Sequence, residues 1–295
     1  MPLSYIEPLY RPPSEANSLI LQVTNGCSWN HCAFCEMYTS PEKAFAIKKT
    51  RQIEDMIREA AADQPETRRI FLADGDAMVL STRRLLKILN FINTYFPNIN
   101  RVSAYCLPRN VRKKSINELI ELYEAGLKLV YVGAESGDDE LLTIIKKGES
   151  QQTTIQSLNK LHDAKIKTSV MILNGLGGRQ FSQQHATNSA LMVNETQPNF
   201  LATLVISFPL GEERFRQHFP TPFIPLNQQE LFQEMETFLR HTHLENTIFR
   251  SDHASNYLVL KGVLGKDKDK LLQMLHQAIH NPHTSNLRPE WMRGL

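Results

Sequence analysis

No apolar run in this sequence approaches the roughly 20 residues that a bilayer-spanning helix requires; stretches such as Leu201 to Phe208 stop far short. The opening MPLSYIEPLYRPPSEAN carries acidic residues and prolines where a secretion signal has a basic stretch followed by an apolar one. The expected location is therefore the cytoplasm. Charge of one sign is missing too. A formal charge of +2 and a pI near 8.3 are too close to neutral to mark a nucleic-acid partner. Lys48, Lys49 and Arg51 form only a short basic run, read as a solvated helix entry. No repeat or low-complexity linker divides the 295 residues, and 41% hydrophobic with 22% charged content fits a packed globule. Cysteine is scarce, at four residues, but three of them fall within nine positions. In a reducing compartment such clustering points to metal or redox chemistry rather than to a disulfide framework. The fourth, Cys106, reads as a buried, unreactive thiol, which leaves no thiolates for a second cluster.

Strand-like and helix-like segments alternate along the chain. Leu19–Thr24, Arg69–Ala73, Arg101–Cys106, Leu129–Val132, Lys167–Leu173 and Phe200–Ser207 are short apolar or β-branched runs, each broken by glycine, proline, asparagine or aspartate. Between them lie segments with helical spacing, among them Ile53–Ala62, Arg83–Tyr95, Thr153–Ala164 and Ser182–Glu195. Ser115-Ile116-Asn117-Glu118 carries a capping-box signature, and Gly126 suits the end of the helix it opens. Six strand–helix repeats without a hairpin signal predict an α/β protein with a parallel sheet and right-handed crossovers. Working residues are then expected in the loops after the strands. The expected division is a lead segment 1–17, a barrel region 18–210 and a mainly helical C-terminal extension 211–295. In that extension Gln228–His241 and Lys266–His280 are helical, and Phe249–Tyr257 is a polar run.

Residues 27–35 read CSWNHCAFC, a Cys-x4-Cys-x2-Cys array at the end of the first strand. Iron–sulfur cubanes normally take four thiolates. A loop with three leaves one iron open to an outside ligand, as open catalytic metal sites do. Cys27, Cys32 and Cys35 are thus the candidate ligands of one 4Fe-4S cluster. The alternative is a Cys3His zinc site completed by His31, in a non-catalytic structural or interaction protein.

This array resembles that of the radical S-adenosylmethionine (SAM) superfamily, with a first spacing one residue longer than usual. Phe34 stands at the family's aromatic position beside the adenine. Ala73-Asp74-Gly75-Asp76-Ala77 is similar to the family's Gly-Gly-Glu segment, which implies that Gly75 and Asp76 receive the methionine ammonium group. The stretch from Lys113 to Gly148 resembles the third-helix to fourth-strand region, where Glu135 and Ser136 fall at the ribose. Ile172–Arg179, with Leu176 and Gly177, corresponds to the Gly-rich adenine loop. Arg109 and Arg179 are candidates for the methionine carboxylate, because guanidinium matches carboxylate geometry. The resemblance implies an incomplete (β/α)6 TIM-type barrel. It also implies reductive cleavage of SAM to a 5′-deoxyadenosyl radical and a one-electron donor such as flavodoxin or ferredoxin. The substrate class stays open among small molecule, peptide and RNA. A chain starting at the barrel is not expected to carry the extra N-terminal domain of methylthiotransferases or cobalamin-dependent members.

Overall fold

The computed structural model describes residues 4–209 and 212–293. The expected limits at residues 1 and 295 and the boundary at 210/211 lie outside the described residues. In chain order the elements are β1 (Leu19–Gln22), β2 (Thr24–Asn25), β3 (Ala46–Ile47), α1 (Thr50–Asp63), β4 (Arg69–Ala73), α2 (Thr82–Tyr95), β5 (Arg101–Cys106), α3 (Pro108–Arg112), α4 (Ile116–Glu124) and β6 (Leu127–Glu135). There follow α5 (Asp139–Ile144), α6 (Gln151–Asp163), β7 (Lys167–Asn174), α7 (Gly178–Thr196), β8 (Phe200–Val205), α8 (Glu213–Arg216), α9 (Gln228–His241), β9 (Ile248–Ser251), β10 (Leu260–Val263) and α10 (Lys268–His280). Eight of the strands make a mostly parallel α/β sheet, in the order β1-β4-β5-β6-β7-β8-β9-β10. The chain divides into two compact units.

The first unit comprises residues 1–30, 35–132 and 156–168. Its strands β1, β4, β5 and β6 pair in parallel, with Leu19 opposite Ile70 and Ile70 opposite Val102. Parallel strands covered by helices are apolar throughout rather than alternating, and Phe71, Leu72, Ala73, Val102, Ala104 and Val130 are all fully buried. Phe71 meets Tyr105 edge-to-face at 5.0 Å, and burying such a side chain contributes about 1.5–3 kcal/mol. Helix α1 presents Ile53, Met56, Ile57 and Ala60 to this core, the i, i+3, i+4, i+7 stripe of an amphipathic helix. The capping box at α4 forms as its sequence predicts: Glu118 N–H donates to Ser115 Oγ at 3.1 Å, and Ser115 N–H donates to Glu118 Oε2 at 2.7 Å. Buried Glu15, in the lead segment, accepts from Tyr131 at 2.6 Å and pairs with Arg101 at 2.7 Å. The apolar run at Leu19–Thr24 is not one strand: β1 ends at Gln22, and Thr24 opens β2, which pairs antiparallel with β3.

The second unit comprises residues 31–34, 133–155 and 169–295. Here β7 and β8 pair in parallel, β8 and β9 in parallel, and β9 and β10 antiparallel. The polar run Phe249–Tyr257 opens as a strand: its first residues belong to β9, and β10 follows. Four-residue strands containing Arg250 and Lys261, joined by a connection far longer than a two-residue hairpin turn, carry no hairpin signature. The rest of that run is a hydrogen-bonded closure. Asn256 Oδ1 accepts from Val205 N–H at 2.9 Å while its Nδ2 donates to the Thr203 carbonyl at 2.9 Å. Arg293 Nε donates to the Ser255 carbonyl at 2.9 Å. Phe181, Phe215, Phe219 and Phe223 form an aromatic cluster with Leu141, Leu142 and Leu176. No helix among the described residues is long and apolar enough to cross a membrane.

Candidate functional site

Within the first unit, the loop that leaves β1 and the turn that ends β4 are built against each other. Gly75 lies so near Cys27 that a Cβ on it would stand 2.8 Å from Cys27 Cα and 2.8 Å from the Gly26 carbonyl. Only glycine fits that approach. Asp76 is fully buried and accepts three hydrogen bonds: from Ser28 N–H at 3.0 Å, from the Ser28 hydroxyl, and from Asn110 Nδ2 at 3.0 Å. Burial pushes its carboxyl upward, while those hydrogen bonds and the charge of Arg109 pull it back. Arg109, from α3, places its guanidinium 3.7 Å from the centre of the Trp29 ring, a cation–π contact. Asp74, the residue before Gly75, is fully buried. It forms a buried ion pair with Lys43 and accepts from Gln22 Nε2 and Gly26 N–H, each at 3.2 Å. Cys106 is buried at the end of β5, with its thiol 3.4 Å from the Leu107 carbonyl.

Within the second unit, Ala33 N–H donates to the Ile145 carbonyl at 2.8 Å, and an Arg214 Nη donates to the Cys32 carbonyl at 2.7 Å. Phe34 packs on the cluster that contains Leu176. Glu135, the last residue of β6, has φ +68° and pairs with Lys147 at 3.1 Å, both side chains nearly buried. Lys147 Nζ also lies 5.9 Å from the Phe34 ring centre. Ser136 is fully buried, its hydroxyl 2.8 Å from His185 Nδ1. The other ring nitrogen, Nε2, donates to the Leu173 carbonyl at 3.0 Å, which in the neutral ring leaves Nδ1 to accept from the Ser136 hydroxyl. Burial pushes His185 down to about 4. Glu234, on α9, is equally buried and pushed up to about 7 by desolvation, against the hydrogen bond it accepts from Gly175 N–H at 2.6 Å. Arg179 pairs with Glu230 at 2.8 Å on the surface.

The structure thus gathers Cys27, Gly75, Asp76 and Arg109 in one unit. In the other it gathers Phe34 with Leu176, and Glu135 with Lys147, while Ser136 turns to His185. Ser28, Trp29, Asn110, Lys147, His185 and Glu234 escaped the sequence reading. Asn110 follows Arg109 directly and Lys147 sits near the end of the Lys113–Gly148 stretch, but His185 and Glu234 lie mid-helix with no local signal. All four cysteines are thiols. No three His, Cys, Asp or Glu side chains among the described residues gather closely enough for a single metal ion. A cubane spreads its thiolates over separate irons, so it asks for three thiols on one tightly turned loop. The segment 27–35 carries three cysteines within nine residues, and Gly75 packs on the first of them.

The sequence model of the radical SAM superfamily matches residues 21–183, more than half of the chain, and the chain belongs to that superfamily. The cofactors that go with membership are S-adenosylmethionine and a 4Fe-4S cluster. The chain is similar to the heme chaperone HemW of Bacillus subtilis (strain 168), 26% identical over 137 residues, which are 46% of this chain and 36% of that protein. It is also similar to a tRNA uridine(34) acetyltransferase of Methanocaldococcus infernus, 25% identical over 141 residues, which are 45% of this chain and 25% of that protein. The matches therefore span about a third or less of these curated relatives. Among solved structures, coproporphyrinogen III oxidase (HemN) from Escherichia coli, described as a radical SAM enzyme, superposes with a TM-score of 0.56 at 14% identity, covering 76% of this chain and 52% of that one. That likeness shows the fold, an incomplete TIM-type barrel.

Proposed function

We propose that this chain is a radical SAM enzyme that holds one 4Fe-4S cluster on Cys27, Cys32 and Cys35 and binds SAM on the loops that follow its strands. When bound, the cluster and SAM supply a 5′-deoxyadenosyl radical that abstracts hydrogen from the substrate. The chain's own residues bind, orient and exclude water. Gly75 offers its backbone beside Cys27, and Asp76 offers a carboxylate for the methionine ammonium group. Arg109, steadied on Trp29, takes the methionine carboxylate. Glu135, held by Lys147, accepts from the ribose hydroxyls, while Ser136 fixes the end of β6 through His185. Phe34, Leu176 and Gly177 provide the apolar wall and open backbone for adenine. Residues 18–210 are the part that handles SAM, and 211–295 an extension upon it. A flavodoxin- or ferredoxin-type protein supplies the electron.

The observation that carries this reading is the array of Cys27, Cys32 and Cys35, with Gly75 packed on Cys27, in a member of the superfamily. The test is anaerobic reconstitution with iron and sulfide, then dithionite and SAM, following 5′-deoxyadenosine by chromatography. The expected result is cluster absorbance and 5′-deoxyadenosine, both lost in Cys32→Ala. Stoichiometric zinc with no cluster and no cleavage product would overturn it in favour of a structural Cys3His site.

A further inference from the structure

We propose that Glu234 of α9 is a positioning residue for the turn after β7, and that through it α9 sets the affinity for the adenosyl portion of SAM. The inference rests on the reading of that turn as the adenine loop.

The turn Asn174-Gly175-Leu176-Gly177 is gripped by the segment 224–234. Gly175 N–H donates to Glu234 Oε1 at 2.6 Å, and Asn174 Nδ2 donates to the Leu231 carbonyl at 3.2 Å. Just beyond the turn, Arg179 N–H donates to the Ile224 carbonyl at 2.9 Å. Gly175 has φ +84°, and a Cβ there would stand 2.9 Å from Leu231 Cδ2. The turn therefore keeps its shape against α9 with no room to drift.

A carboxyl at this place is more than helix packing requires. Glu234 is 4% exposed, amid Leu231, Phe232, Met235 and Phe238 of the same buried face, and its Oε2 has no hydrogen-bond partner. An apolar side chain would avoid that desolvation; what it would lose is the acceptor for Gly175 N–H. Across from it, His185 Nε2 stands 4.0 Å from Glu234 Oε1. The groups facing Glu234 are thus Gly175 from the turn and Ser182 and His185 from α7, with Asp138 acting on His185 in turn. Because His185 also holds Leu173 and Ser136, one buried network reaches the ends of both β6 and β7. Glu234 acts through this backbone and touches no reacting atom.

The test uses the reconstituted holoprotein in equilibrium dialysis with SAM, S-adenosylhomocysteine and methionine. Glu234→Leu is expected to weaken both adenosyl ligands by about tenfold, as loss of one strong hydrogen bond implies, and to leave methionine unchanged. Glu234→Gln keeps an acceptor for Gly175 and is expected to restore wild-type affinity. If Glu234→Leu does not fold, Asn174→Ala removes the neighbouring tie and is expected to give the same selective loss. Unchanged SAM affinity in these variants, or equal loss for all three ligands, would overturn the inference. A wild-type holoprotein that binds methionine but no adenosyl ligand would instead remove the adenine-loop reading beneath it.

Discussion

Ser28 donates its backbone N–H to Asp76 Oδ1 at 3.0 Å and its hydroxyl to Asp76 Oδ2. Ser28 follows Cys27, and Asp76 follows the glycine that packs on Cys27, so the backbone at Cys27 is fixed from both sides. Asn110 adds a third hydrogen bond to the same carboxylate. Asp76→Ala leaves the buried Asn110 amide and the Ser28 donors to find new acceptors, at a cost of about 1–3 kcal/mol. Anaerobic reconstitution should then yield less iron per chain than wild type, with Asp76→Asn between the two. Iron and sulfide analysis checks this; full stoichiometry in Asp76→Ala would show that the brace is dispensable.

Lys43 and Asp74 are both fully buried and paired. Breaking one partner of such a pair costs more than replacing both, because an isolated buried charge remains. Lys43→Met is expected to lower stability by about 3–5 kcal/mol in urea unfolding. The double variant Lys43→Met/Asp74→Asn should recover a large part of that, since Asn can still accept from Gly26 N–H. Additive losses in the double variant would argue that the pair is not coupled.

Glu234 titrates near 7 in the folded chain, against an ordinary 4.5. A carboxyl whose folded pKa is raised binds its proton more tightly when folded. Its contribution is complete below pH 4.5, declines as pH rises, and is lost above about 7, a swing of about 3 kcal/mol. Glu234→Gln keeps the neutral form at every pH. Relative to wild type it should therefore gain stability as pH goes from 4.5 to 8, and thermal melts at both ends would reveal a flat difference if the carboxyl is not desolvated.

His185 runs the opposite way. Its folded pKa is pushed from 6.5 to about 4, so folding must exclude a proton and stability falls as pH drops from 6.5 toward 4, by about 3 kcal/mol. His185→Gln, which has no proton to gain, should be penalised at pH 7 for its altered hydrogen bonds and lose much less on acidification. Parallel acid-unfolding curves for the two proteins would contradict this.

The parallel core was legible because burial on both faces leaves continuous apolar runs: Arg69–Ala73 and Arg101–Cys106 are strands with the expected ends, and Gln228–His241 is the expected helix. Short elements were not. Pro108–Arg112 has too few residues to show a period, and β9 and β10 are held by their neighbours rather than by their own pattern. Of the candidate site, Cys27, Cys32 and Cys35 stood out because three thiols fall within nine positions. Asp76 and Glu135 stood out because each is a carboxylate at a strand end.

What the sequence determined alone is therefore the alternation of strands and helices, the position of the cysteine array, and membership of the superfamily, all properties carried by neighbours along the chain. Only the tertiary structure decided that Asp74 belongs to Lys43, that Asp76 belongs to Ser28 and Asn110, and that Ser136 turns to His185. It also decided that a helix of the C-terminal segment reaches Gly175 through Glu234. Those partners lie 31, 48, 34, 49 and 59 residues apart. A buried polar group must find whichever partner the packed strands and helices bring to it, and no local pattern records which one that is.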